Sequence, residues 1–139
     1  MTKGLFIGLL LAVAGCHPGP AEPTEAQRAA QMRRRVLALH DSTMLHMDAL
    51  TRERQRLEKL LTQLDTTDAR HRARLRRLHG ALVAADTTMT HWMRTYQEPD
   101  TALLSPHQYV DFWTTEEAEL RALARQMGRA LDSAATVGP

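Results

Sequence analysis

Apolar positions along the chain fall into three stripes with helical spacing. In the first, Val36, Leu39, Met47, Leu50, Leu57, Leu60, Leu61 and Leu64, with Thr43 in phase, recur at three- and four-residue steps. Such steps place side chains on one face of a helix. Thr24 is a natural N-cap, and Glu25 sits beside the positive end of the helix dipole. The pattern therefore predicts one long helix over about 24–64. Thr66-Thr67-Asp68 is a capping cluster that opens a second helix, about 67–97, with the stripe Leu75, Leu78, Leu82, Ala85, Met89, Trp92, Met93 and Tyr96. Glu98-Pro99-Asp100 ends it, because Pro99 cannot continue a helix and disfavours helical geometry at Glu98. Ser105-Pro106 opens a third helix, about 105–136, with serine as cap and proline at the first helical position. Its stripe runs through Leu120, Leu123, Met127, Leu131 and Ala134, and Thr114-x-x-Glu117 has the form of a capping box, predicting a break or kink near Thr114.

Alternating β-branched segments are missing, so strands are not expected. Three amphipathic helices joined by short connections predict an all-α fold, an antiparallel three-helix bundle over residues 24–137. Loop positions also set the register. With the first turn centred near residue 66, helices one and two pair where residue numbers sum to roughly 132, which sets His40 against Trp92. With the second centred near 101, helices two and three pair at roughly 202, which sets Met93 level with Tyr109 and Met89 with Trp113.

Ahead of the bundle, the first residues read differently. Lys3 supplies a positive charge, Leu5 to Val13 form a short apolar run, and Val13-Ala14-Gly15-Cys16 closes it with small residues before the only cysteine. A charged, an apolar and a small-residue region in that order form a secretory signal, too short for a stable transmembrane helix. The last four residues resemble the lipobox of bacterial lipoproteins. That resemblance implies a signal peptide over residues 1–15, cleavage before Cys16 and acylation of Cys16, which would anchor the chain stably in a membrane. His17 to Pro23, with three prolines and a glycine, reads as a short tether. His17 after the cysteine suggests sorting to the outer membrane.

Removing residues 1–15 from the 139 leaves 124, enough for one modest core. An acylated Cys16 leaves no thiol for a disulfide, a nucleophile or a metal. Without Lys3 the basic total falls from 18 to 17 against 16 acidic residues, a near-neutral balance that argues against nucleic acid as a partner. Charge is unevenly placed, however. Arg52 to Arg77 holds nine Arg/Lys residues against Glu53, Glu58, Asp65 and Asp68. Because Cys16 would hold the other end at the membrane, this first turn is the expected distal tip. Arg70, Arg72, Arg74, Arg76 and Arg77 could there meet an acidic envelope component, or they could form an ordinary solvated face.

One layer carries candidate chemistry. His40, Met44 and Met47 share a helical face at i, i+4 and i+7, Met89 and Met93 share another, and Trp92, Tyr96, Tyr109, Phe112 and Trp113 gather nearby. Two readings compete. Met and aromatic side chains pack irregular junctions well. Thioethers with imidazole also suit Cu(I) or Ag(I). Haem between His and Met is a third reading, without a C-x-x-C-H. His46 and His91 lie off the stripe, and Asp68-x-x-His71 reads as a cap. Asp86 borders the stripe and could approach His40, though a flanking solvated position suits it better. No phosphate loop, H-E-x-x-H, G-x-S-x-G or paired E-x-x-H is present, so no enzyme and no cofactor are expected, Cu(I) being the one ion the Met/His layer would suit.

His40-Asp41-x-x-Met44-x-x-Met47 followed by Met89-x-x-Trp92-Met93 resembles a group of small helical lipoproteins of Gram-negative bacteria. The resemblance implies fold and location, with no particular activity. Leu50-Thr51-Arg52-Glu53-Arg54-Gln55 is similar to the L-T-x-x-Q motif of periplasmic helical-hairpin stress chaperones and metal sensors, but its Gln comes one residue late and within a helix. The sequence thus leads to a lipid-anchored, non-enzymatic helical bundle of the cell envelope, the alternative being a soft-metal binder or sensor.

Overall fold

The computed structural model describes residues 21–64 and 68–138. The signal peptide, Cys16, most of the tether and the Thr66-Thr67 turn lie outside them. Among the described residues there are four helices and no strand: α1 (Glu25–Met44), α2 (Met47–Gln63), α3 (Ala69–Thr95) and α4 (Pro106–Ala135). The α1–α2 arm runs up, α3 down and α4 up, forming the expected all-α bundle. None of the helices is long and apolar enough to cross a membrane.

The caps explain the starts. Thr24 accepts from the Gln27 backbone N–H at 3.2 Å, and the Gln27 side chain returns a bond to the Thr24 N–H at 2.8 Å. Ser105 and Gln108 repeat this reciprocal box at the head of α4, with Pro106 at the first position. Asp68 accepts from the His71 backbone N–H at 2.9 Å and so begins α3. Each box satisfies two backbone donors that a helix start leaves open.

Three details depart from the sequence reading. The first arm is bent, not continuous: Leu45 and His46 interrupt it, with Leu45 80% exposed at the corner. Ser42 and Thr43 both turn their hydroxyls back onto the Leu39 carbonyl, at 2.8 and 2.7 Å. Such back-bonding bends helices. The bend lets α1 pack chiefly on α4 while α2 packs chiefly on α3. By contrast, α4 passes through Thr114 unbroken, and the Thr114 hydroxyl bonds the Val110 carbonyl of its own helix. The capping box expected there does not form.

The third departure concerns register between α3 and α4. Trp92 meets Glu116, Tyr96 meets Trp113 and Arg74 meets Thr136, so partners sum to about 209 and not 202. Tyr96 leaves α3 in extended geometry and residues 96–100 continue without helix. Extended chain rises about 3.3 Å per residue against 1.5 Å in a helix. The connection therefore overshoots the end of α3 before turning, and α4 starts about two turns further out. Met93 is accordingly not buried beside Tyr109. It is 38% exposed.

The core is one continuous cluster. Val36, Leu50, Leu57, Leu75, Leu82, Ala85, Met89, Trp113, Leu120, Met127 and Ala134 are buried in it. The distal half is mostly leucine and alanine, and the aromatic side chains collect toward the α1 end.

Candidate functional site

The aromatic layer forms as one chain of rings. His40 lies 5.6 Å from Trp92, which stacks on Tyr96 at 5.1 Å; Tyr96 reaches Trp113 at 6.4 Å, and Tyr109 and Phe112 meet Trp113 edge-on at 5.9 and 5.0 Å. His40 thus reaches Trp92 as expected, but past the corner the register shifts: Glu58 meets His79 and Arg54 meets Asp86, at sums of 137 and 140 and not 132. Trp92 is fixed at its other end, where its indole N–H donates to Glu116 at 3.1 Å. Burial, helped by the neighbouring Glu119, pushes the Glu116 carboxyl above its ordinary pKa.

The five Met/His residues do not converge equally. His40 and Met93 line one small groove with Leu37, Trp92 and Tyr96. Met89 is sealed in the core at 0% exposure. Met44 and Met47 are half-buried against the core on either side of the Leu45–His46 corner. Asp86 does not approach His40 as a partner; it faces Arg54 at 3.3 Å. His40 bonds instead through Nδ1 to Asp41, at 3.1 Å. His46 and His91 are exposed, and Asp68 caps His71.

Beside this layer stands a group that the stripe pattern did not single out. Arg33 of α1 grips Glu98 of the extended connection, with Nε at 2.9 and 3.1 Å from the two carboxylate oxygens and Nη2 at 3.1 Å from Oε2. The Tyr109 hydroxyl donates to Glu98 Oε1 at 2.5 Å, and the Arg33 guanidinium lies 6.0 Å over the Trp113 ring. Arg33 holds the Glu98 carboxyl below its ordinary pKa against the opposing effect of burial, with Tyr109 adding to the lowering. Burial raises the Tyr109 and Tyr96 hydroxyls, and the nearby Glu98 charge raises both further. The buried Tyr96 hydroxyl and Trp113 indole N–H have no hydrogen-bond partner. With both Glu98 oxygens engaged, this cluster acts as a clasp that ties the connection 96–100 to α1. In the sequence, Glu98 stood only as part of a helix stop.

The arginine-rich end is only partly a solvated tip. Arg56 donates to the Ala134 and Val137 carbonyls at 2.9 and 3.1 Å, closing the end of α4. Arg72 donates to the Leu64 carbonyl at 2.9 Å, closing the end of α2, and Arg74 donates to Thr136 at 2.9 Å. Guanidinium donors suit helix C-termini, where carbonyls lack partners and the dipole is negative. Arg72 and Arg74 therefore carry structure as well as charge. Arg70, Arg76 and Arg77 are exposed and form no ion pair with a carboxylate among the described residues. At the opposite end His107 meets Glu25 at 3.2 Å.

On the α3–α4 face, Thr88, His91, Trp92, Thr95, Glu119, Leu123 and Arg129 border an open groove of about 480 Å³. Among the described residues no group of three or more His, Cys, Asp or Glu side chains is placed to hold a metal ion. Family models, curated proteins and solved structures alike contain no match to this chain.

Proposed function

We propose that this chain is a lipid-anchored helical bundle of the bacterial cell envelope that presents a basic end to an acidic envelope component. One observation carries the reading: the two ends of the bundle differ in kind. Thr24, where the tether from Cys16 joins α1, lies at the end that holds His107 and Glu98. Arg70, Arg76 and Arg77 lie at the other, separated from it by the length of α4, 30 residues or roughly 45 Å at 1.5 Å per residue. A tether at one end and exposed cations at the far end suit a reader of a polyanion held away from the membrane surface. No step of the reading requires catalysis.

Co-sedimentation of the Cys16→Ser chain, which lacks acyl chains to insert, with lipopolysaccharide aggregates tests it. This chain should bind and be released as salt rises, because exposed charge is screened over about 10 Å at 0.1 M salt. An Arg70→Ser, Arg76→Ser, Arg77→Ser variant should lose binding and keep its helical content, since all three side chains are exposed and none caps a helix among the described residues. Equal binding by parent and variant would remove the basic end from the account.

A further inference from the structure

We propose that the groove between α1 and α3 at His40 and Met93 is a site for a soft monovalent cation, Cu(I) or Ag(I), with His40 Nε2 and Met93 Sδ as ligands. The groove is open to solvent, lined by Leu37, His40, Trp92, Met93 and Tyr96, with a volume of about 160 Å³. Of its five lining side chains, the imidazole and the thioether are the soft donors, while Leu37, Trp92 and Tyr96 present carbon surfaces. No carboxylate lines it. Hard cations that need several oxygen ligands are therefore poorly served, whereas a thioether with an imidazole matches a soft d¹⁰ ion.

The state of His40 strengthens the assignment. His40 Nδ1 lies 3.1 Å from Asp41 Oδ1, a contact that suits the neutral tautomer with its proton on Nδ1 and its Nε2 lone pair turned to a ligand role. A carboxylate on the far nitrogen is the usual arrangement behind a metal-bound histidine, where it fixes the tautomer and increases ligand basicity. Met93, at 38% exposure, is open to an incoming ion. Trp92 lies 5.6 Å from the His40 ring and is held in place by Glu116, so its indole face can attract a cation in the groove. The site is smaller than the five-residue layer seen in the sequence, because Met89 is sealed in the core and contributes packing.

The test is Ag(I) titration of the full chain in detergent, followed by tryptophan fluorescence, with Cu(I) then measured against a competing chelator. The parent should show one saturable site that perturbs the fluorescence. Met93→Leu keeps volume at a half-open position and deletes the thioether; it should weaken that site at least tenfold with unchanged circular dichroism. His40→Gln should do the same, and Met89→Leu should leave affinity unchanged. If His40→Gln fails to fold, Met93→Leu still decides. A parent without a saturable Ag(I) site, or a Met93→Leu variant that binds as the parent does, overturns the proposal.

Discussion

Replacing Arg56 with alanine should destabilise the bundle more than any other single loss of charge near its distal end. The side chain is 30% exposed and spans from α2 to the end of α4. It donates to the Ala134 carbonyl at 2.9 Å and to the Val137 carbonyl at 3.1 Å, and pairs with Glu53 at 2.7 Å. A hydrogen bond to a charged group contributes about 1.5–3 kcal/mol, and the i,i+3 ion pair only about 0.3. Water can replace part of the lost donors at this exposure, so the net cost of Arg56→Ala should be about 2 kcal/mol. For a domain of this size that lowers Tm by roughly 6–12 °C. Arg56→Lys should recover less than half, since one ammonium cannot fork between two carbonyls as a guanidinium does. Arg76→Ala, on an exposed position, should stay within about 0.5 kcal/mol. Urea unfolding followed by far-ultraviolet circular dichroism, compared at constant m, measures all three. If Arg56→Ala matched the parent while Arg76→Ala fell, the capping argument would be wrong.

The remaining stability predictions rest on other parts of the molecule. Leu82 is fully buried, so Leu82→Ala should cost roughly 2–5 kcal/mol in the same urea assay. A Cβ added at Gly80 meets nothing within 4 Å, and Gly80→Ala in mid-helix should raise stability by about 0.5–1 kcal/mol, read as a higher midpoint. Glu98 and Glu116 should show opposite pH dependence. The lowered pKa of Glu98 means its stabilising effect is present above the unfolded-state pKa and lost as pH falls through the folded-state value, so Glu98→Gln should destabilise at pH 7 and less in acid. The raised pKa of Glu116 means protonation favours the fold, a contribution present below the unfolded-state pKa and lost as pH rises through the folded-state value. Glu116→Gln should therefore stabilise at pH 7 and lose that advantage in acid, as thermal melts at both pH values would record.

Helix periodicity carried most of the architecture because burial imposes a phase on every stripe. Thr24, Asp68 and Ser105 all cap where their residue types suggested, and His40 reaches Trp92. The corner at Leu45–His46 stayed invisible for a physical reason: both residues keep right-handed helical dihedrals, so the stripe passes from Thr43 to Met47 without losing phase. Register between α3 and α4 failed where loop counting assumed a compact turn and the chain ran extended from Tyr96. Glu98 and Arg33 were hidden by the same overshoot, since it is the extended connection that brings a carboxylate back onto α1. The arginines of the distal end looked alike in sequence; only the positions of the α2 and α4 ends separate those that cap from those that face solvent.

The proposed lipid anchor at Cys16 underlies the whole account, and metabolic labelling with palmitate tests it most directly. The native chain should incorporate label and sediment with membranes, whereas Cys16→Ser should take up none and move to the soluble fraction. The variant should keep its helical content, because Cys16 precedes the cap at Thr24. Equal labelling of both chains, or a native chain without label, would contradict the account.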